Sequence, residues 1–453
     1  MFDVLNSNQQ PNTQYSLLDT KKNMKINHLY QIFQLYPHIS IDSRNCTENS
    51  LFFALKGNNF DGNNFAEAAL NNGCAFAVVD NRKMLKDERY ILVNDVLQTL
   101  QKLANHHRNQ LKTKIIAITG TNGKTTTKEL VAAVLAKKYN TLFTQGNYNN
   151  HIGVPLTLLR LTEEHEIAVV EMGANHLGEI KMLSKIAEPD FGLITNIGKA
   201  HLEGFGSFEG VLAAKTELYE FIREKKGRIF INNSNEYLVN ASNGILNISY
   251  GINSDSDVSG HIIEQNPFVT LAWASRRFAV TAEKISTNLI GSYNAENLLA
   301  AIAVGLFFEM ETTDICDALK EYMPKNHRSQ FVKTNKNSLV VDAYNANPSS
   351  MEAALENFAT MQFPHKSIIL GDMLELGDES EKEHKKVIEN LQKMNFDDVF
   401  LIGEIFEKCN SDYKNFKNID EFTTFLKQNP IENSTILLKG SNNIKLEKLI
   451  SAL

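Results

Sequence analysis

The sequence predicts an α/β protein of three domains: a small α/β N-terminal domain, a central domain with a mostly parallel sheet, and a Rossmann-like C-terminal domain. Three observations carry this expectation. The chain has 453 residues, enough for two to four domains. Apolar strand-like runs alternate with helix-like runs twice, in 115–232 and again in 339–439. The first alternation opens on IIAITGTNGKTTTKEL (115–130), where an apolar run, a glycine-bounded loop and a helical run succeed one another.

That loop, Gly120, Thr121, Asn122, Gly123, Lys124, Thr125 and Thr126, has the setting of a phosphate-binding loop, which marks the central domain as a P-loop ATPase domain. Its glycines allow a tight turn with N–H groups pointing inward, and the following helix adds the positive end of its dipole. Lys124 suits the β- and γ-phosphates of ATP, and the Thr125 hydroxyl suits Mg²⁺. The spacing departs from the common motif: two residues, not four, separate Gly120 from Gly123. The bland alternative is an ordinary glycine turn with a surface lysine.

Composition excludes several classes. The net charge of −7 gives no electrostatic case for a nucleic-acid partner or an anionic membrane. The longest apolar run, Leu298–Phe308, is too short to span a bilayer, and the first residues lack a signal-peptide core. The four cysteines form no CxxC pair, so the expectation is a reduced, cytoplasmic protein with no membrane insertion.

Taken in order, residues 1–23 are polar and patternless and read as a disordered extension before Met24. Residues 24–110 read as a small α/β domain, with strands in NSLFFAL (49–55), AFAVVD (75–80) and 91–93, and helices at 66–72 and 95–110. Residues 111–323 form the central domain, with strands at 115–119, 141–143, 167–171, 191–194 and 228–232. A helix is expected from Thr127, short β-like pieces at 269–273 and 278–281, and an apolar helix at 294–309. Pro324 and the polar run to Arg328 read as a linker. Residues 324–453 form the third domain, with strands at 339–342, 367–370, 399–402 and 436–439 and helices at 349–361 and 381–394. It carries no GxGxxG dinucleotide fingerprint.

In such sheets the ligand edge lies at the strands' carboxyl ends. Glu171 ends an apolar strand there and could hold Mg²⁺ or orient water. His201 lies in the glycine-rich loop TNIGKAHLEGFGS, where a metal or phosphate role outweighs an ordinary surface histidine. Lys215, taken alone, reads as a solvated helix lysine, and Lys128 and Glu129 as exposed charges. Asn147, Asn149 and Asn150 in GNYNNHIGVP offer uncharged donors and acceptors suited to a sugar or peptide amide, or else a capped turn. In the third domain, Asp342, Tyr344, Asn345 and Asn347 stand at a strand-to-helix turn, with GDMLELG (371–377) and Lys439–Gly440–Ser441 as further turns.

GTNGKTT (120–126), VVEMGA (169–174), TNIGKAH (195–201), AAKTE (213–217), SYNAENLLAA (292–301) and DAYNANPSSM (342–351) occur in this order. Together they resemble the Mur ligase family, ATP-dependent amide ligases of peptidoglycan precursor synthesis, over about residues 24–453. The resemblance implies that Lys124 neutralises the β/γ-phosphates, that Thr125 and Glu171 bind Mg²⁺, and that His201 serves a second metal. It makes Lys215 a carbamylated, metal-supporting lysine. It places Asn294 and Asn297 on adenine, Arg328 and Asp342 on ATP, and Ser43 and Arg44 in a uridine-binding N-terminal domain. Tyr344, Asn345 and Asn347 would lie where the amino substrate and the nucleotide meet. The 344–348 turn, the GNYNNHIGVP loop and GDMLELG point to the branch that joins D-alanyl-D-alanine to UDP-N-acetylmuramoyl-tripeptide; the sister ligase for the third amino acid and the folate relatives carry a histidine in that turn. A monomer is expected. Tyr293, His327, Asn442 and His151 depart from the usual pattern, which touches local contacts and leaves the reaction class intact.

Two other activities stay open at this point: a sister ligase adding a single amino acid, and a nucleotide-cycling P-loop switch. A ligase hydrolyses ATP only with acceptor and amine present, whereas a switch answers to a protein partner. The longer loop and the strand-end DxxG signal that switch proteins generally carry are not found in the second domain.

Overall fold

The computed structural model describes residues 24–325, 327–409 and 411–453. The expected extension over 1–23 lies outside the described residues. The chain divides into two compact units. One runs to Gln110 and takes in Leu158–Arg160; the other comprises Leu111–Thr157 and Leu161–Leu453.

The first unit holds a four-stranded parallel sheet in the order Ile39–Ser40, Leu51–Phe53, Phe76–Val79, Tyr90–Leu92. Its strands are short and buried, as their unbroken apolar runs require. Phe52, Ala66, Leu70 and Val79 make a core with the helix Ala66–Asn71.

The second unit holds two larger sheets. In the nine-stranded sheet, Lys114–Thr119 lies between Ile167–Glu171 and Phe191–Ile194, parallel to both. Thr141–Phe143 stands outside the first neighbour. Beyond the second come Arg228–Asn232, Leu246–Ile252 and Val258–Gln265, all parallel, then Phe268–Ser275 and Val280–Ile290, antiparallel. Successive strands are added to either side of Lys114–Thr119, so the crevice of a doubly wound sheet falls at its carboxyl end, where the glycine loop sits. The buried helix Asn294–Phe307, apolar on every face, packs with Lys124–Leu135 on this sheet and shares its core with Ile116, Leu130, Phe230 and Leu271.

The six-stranded sheet runs Gln330–Lys333, Ser338–Asp342, Thr435–Lys439, Lys366–Gly371, Asp398–Ile402, Lys414–Phe416, parallel except for its first pair. The helix Pro348–Thr360 opens with a capping box, in which the Asn347 side chain takes the Ser350 N–H and the Ser350 hydroxyl takes the Asn347 N–H.

Three expectations change. The helix after the glycine loop begins at Lys124, not Thr127; the threonines are poor helix formers, but packing of the helix on the sheet overrides their propensity. Leu246–Ile252 and Val258–Gln265 are full strands, and the last two-stranded ribbon is longer than the pieces at 269–273 and 278–281, with residue 278 in its turn.

Candidate active site

A cavity of about 510 Å³ opens at the carboxyl ends of the two larger sheets, wholly inside the second unit. Residues 121–126 form one wall. Gly120 precedes them at φ +144°, where a Cβ would meet the Thr195 hydroxyl. The loop is held by its neighbour: Asn122 N–H donates to Asn196 Oδ1 at 2.9 Å, Thr195 Oγ1 donates to Asn122 O at 2.6 Å, and Gly198 N–H donates to Thr121 Oγ1 at 2.9 Å. TNIG thus serves first as the brace of the phosphate loop.

Lys124 Nζ donates to the Gly120 and Thr121 carbonyls at 2.7 and 2.8 Å. Burial pushes this ammonium down to about 8; Glu171 opposes the shift and Arg328 adds to it.

Glu171 pairs in register with Ile118 and is 1% exposed. Asn149 Nδ2 donates to its Oε1 at 2.8 Å, while its buried Oε2 has no hydrogen-bond partner. Lys128 Nζ, equally buried and unpartnered, stands 3.9 Å from that oxygen and 3.5 Å from Glu129 Oε1. Lys128 is therefore not the exposed charge the sequence suggested: it is 0% exposed. The signal was there, since Lys128 lies four residues after Lys124, on the same helix face.

Thr125 is buried and lines the same cavity as Glu171. An orphaned carboxylate oxygen and a buried hydroxyl in one cavity are the kinds of oxygen a hard divalent cation takes. Among the described residues no group of three or more His, Cys, Asp or Glu is placed to hold an ion alone. Mg²⁺ would accordingly need oxygens from phosphates and water as well.

Asn294 and Asn297 join one another, Asn297 Nδ2 donating to Asn294 Oδ1 at 2.8 Å, and Thr127 Oγ1 donates to Asn297 Oδ1 at 2.9 Å. Both line the cavity. Gly123, at φ +76°, lies so close that a Cβ would come within 2.7 Å of Asn297 Oδ1.

From the six-stranded sheet come Arg328, Asp342, Tyr344, Asn345 and Asn347. The Arg328 guanidinium lies 3.7 Å over the Tyr344 ring, and its buried Nε has no partner. Asp342 accepts from Lys439 Nζ at 2.5 Å, its parallel-register neighbour, and from Ser329 N–H at 3.2 Å. Lys439, read from the sequence only as part of a turn, is a fully buried counter-charge. Asn347 Nδ2 donates to Asn122 Oδ1 at 2.8 Å, directly joining the third domain's turn to the phosphate loop.

His201 lines the same cavity; its Nδ1 lies 2.5 Å from Glu375 Oε2 in GDMLELG, and this contact holds the Glu375 carboxyl below the usual range. Lys215 is 2% exposed and not solvated, which overturns the reading from its position alone. Its Nζ donates to Ala174 O at 3.2 Å and lies 5.2 Å from the Phe205 ring. Burial, and next the Lys124 charge, push its ammonium down to about 7, against the pull of Glu179 and Glu217. An amine at that value is about half unprotonated at pH 7, and only the unprotonated half can take up CO₂.

Asn149 and Asn150 line the cavity; Asn147 is exposed and outside its wall. Ser43 and Arg44 belong to the first unit, where Ser43 is buried and the exposed Arg44 forks onto Asp42 at 2.9 and 2.7 Å.

Family models match along most of the chain: "Mur ligase family, catalytic domain" at 36–121, "Mur ligase middle domain" at 118–305 and "Mur ligase, glutamate ligase domain" at 327–442. The chain belongs to the Mur ligase family. Among Mur ligases it is 35% identical over 433 residues to the UDP-N-acetylmuramoyl-tripeptide–D-alanyl-D-alanine ligase of Bacillus subtilis (strain 168), covering 92% of each chain. The ligase of the same name from Escherichia coli (strain K12) is 35% identical over 427 residues, covering 92% of this chain and 93% of that one. A crystal structure of MurF from Acinetobacter baumannii superposes with a TM-score of 0.84 at 30% identity, over 95% of this chain and 98% of that one. This Mur ligase thus has the three-domain fold of that neighbour, and its matches cover 92% or more of these relatives' length.

Proposed function

We propose that this chain is an ATP-dependent amide ligase that joins D-alanyl-D-alanine to UDP-N-acetylmuramoyl-tripeptide, giving the pentapeptide precursor of peptidoglycan, ADP and phosphate. The hydrogen bond from Asn347 to Asn122 carries the reading. It brings the phosphate loop and the turn that distinguishes the dipeptide-adding branch into one cavity, so one space serves both activation and acyl transfer.

The chemistry needs such a space. A carboxylate is a poor electrophile and its charge repels nucleophiles. Its oxygen attacks the γ-phosphorus of ATP, ADP leaves, and an acyl phosphate forms. The dipeptide amine then attacks the acyl carbon and phosphate departs. Most of the catalysis is positioning and charge neutralisation. Lys124 and Arg328 supply positive charge to the phosphates; Asn294 and Asn297 hold adenine; Asp342 fixes the Ser329 and Lys439 side of the site. Asn149, Asn150, Tyr344, Asn345 and Asn347 orient the peptide and dipeptide, and Ser43 and Arg44 serve the uridine end. Glu171 and Thr125 would hold Mg²⁺, with His201 and a carbamylated Lys215 supporting a second ion; bound there, Mg²⁺ offsets phosphate charge. The dependence on ATP and a nucleotide-sugar supports a cytoplasmic enzyme; it is taken to be a monomer, which light scattering at working concentration checks.

The test is phosphate release from ATP and Mg²⁺ with UDP-N-acetylmuramoyl-tripeptide and one amine at a time. Release with D-alanyl-D-alanine, and not with L-alanine or glutamate, together with a pentapeptide mass, is the expected result. Release with a single amino acid instead refutes the assignment.

A further inference from the structure

Tyr293, where the sequence departs from the usual family pattern, has no part in the function proposed above. It stands directly before Asn294, at the head of the helix Asn294–Phe307. Gly291, at φ +97°, leaves room for its ring: a Cβ there would stand 2.4 Å from the ring carbons. The Tyr293 hydroxyl shares a hydrogen bond of 2.8 Å with Ser329 Oγ, just before the first strand of the six-stranded sheet. Burial, and next the Asp342 charge, hold the phenol well above its ordinary range, so it stays a neutral hydroxyl. One residue earlier, Ser292 N–H donates to Asn357 Oδ1 at 3.1 Å, on the helix Pro348–Thr360.

Ser329 directly follows Arg328. His327 and Ser329, on either side of that arginine, have left-handed backbone, φ +55° and +48°. Non-glycine residues adopt it at a cost, and strain of this kind persists where the surroundings over-determine it. Here two bonds meet on Ser329: Tyr293 on its side chain, and Asp342, which accepts its N–H at 3.2 Å. The Arg328 guanidinium rests on the Tyr344 ring, and its buried Nε has no partner. The backbone on its C-terminal side is therefore what aims this arginine.

We propose that Tyr293 is a positioning residue for Arg328: by holding Ser329 it fixes the strained turn that presents the guanidinium to the phosphates of ATP. Because Tyr293 adjoins Asn294, the adenine side of the site and the phosphate arginine share one joint between two sheets. Without the hydroxyl the turn relaxes, and the guanidinium spends less time at the phosphates, while the adenine contacts are untouched. The inference rests on the ligase reading for one point, that Arg328 meets the phosphates.

The test compares binding of a β,γ-imido ATP analogue with Mg²⁺ and binding of AMP to the full chain, by calorimetry. Arg328→Ala should weaken the analogue by more than about tenfold, the scale of a charged hydrogen bond. Tyr293→Phe should weaken it about 3- to 10-fold, the scale of one hydrogen bond, and leave AMP within about twofold. Ser329→Ala breaks the same bond from the other side and should match Tyr293→Phe. Added to Arg328→Ala, Tyr293→Phe should cost no more than about a further twofold, because it acts through that arginine. Unchanged analogue binding in Tyr293→Phe, an equal loss for AMP, or the full loss repeated on Arg328→Ala overturns the proposal. Loss of the fold in both Tyr293→Phe and Ser329→Ala makes the bond structural and overturns it too. Native discrimination between analogue and AMP in Arg328→Ala refutes the phosphate role of that arginine in the ligase reading, and the proposal falls with it.

Discussion

Replacing Lys128 with methionine removes a buried ammonium while keeping most of its volume. The ammonium stands 3.9 Å from Glu171 Oε2, and neither atom has a hydrogen-bond partner. Two unit charges at that distance attract by about 4 kcal/mol at an effective dielectric of ~20. Breaking such a pair leaves the remaining carboxylate buried and uncompensated, which costs about 3–5 kcal/mol. The expected loss for Lys128→Met is therefore about 3 kcal/mol or more in the ligand-free chain. Glu171→Gln and the double variant complete a cycle whose coupling should exceed about 2 kcal/mol. The single tryptophan, Trp273, is buried in the nine-stranded sheet, so its fluorescence in urea reports the unfolding of this domain in particular. Mg²⁺ with an ATP analogue should restore more stability to Lys128→Met than to the native chain, because the ion supplies the missing charge. A coupling below about 0.5 kcal/mol, the scale of an exposed pair, refutes the reasoning.

Gly123→Ala places a methyl within 2.7 Å of Asn297 Oδ1 at a positive φ; it should weaken binding of an ATP analogue by about tenfold or more by calorimetry, roughly the 1–2 kcal/mol of such strain. For Lys215 the folded ammonium titrates at about 7 against the ordinary 10.5. Between these values the unfolded chain binds more protons, so stability rises with pH. From pH 7 to 8.5 the rise from this group is about 1.5 kcal/mol, and Lys215→Met should remove it in urea titrations. Lys215→Ala should lose most ligase activity and regain part of it with short carboxylic acids; full activity without them would remove the lysine from the chemistry.

Legibility in the sequence followed burial. IIAIT and IAVVE are continuous apolar runs because parallel strands are covered on both faces, and their bounds were readable almost to the residue. Val258–Gln265 mixes buried and exposed positions beside an antiparallel ribbon, so its pattern is weak. The phosphate loop was legible because backbone turn, lysine and helix start are contiguous. The charge network was not: Lys128 and Lys215 look like surface lysines, and Lys439 like part of a turn, until the fold buries them. Glu375 and His201 sit in separate motifs, and only the approach of two sheets brings them together.

The central claim is that the acceptor carboxylate is phosphorylated before the amide forms. UDP-N-acetylmuramoyl-tripeptide labelled with ¹⁸O in its terminal carboxylate, incubated with ATP, Mg²⁺ and D-alanyl-D-alanine, tests it most directly. The account predicts one labelled oxygen transferred to inorganic phosphate for each pentapeptide formed. Amide formation with unlabelled phosphate, or phosphate release without any amide, would contradict it.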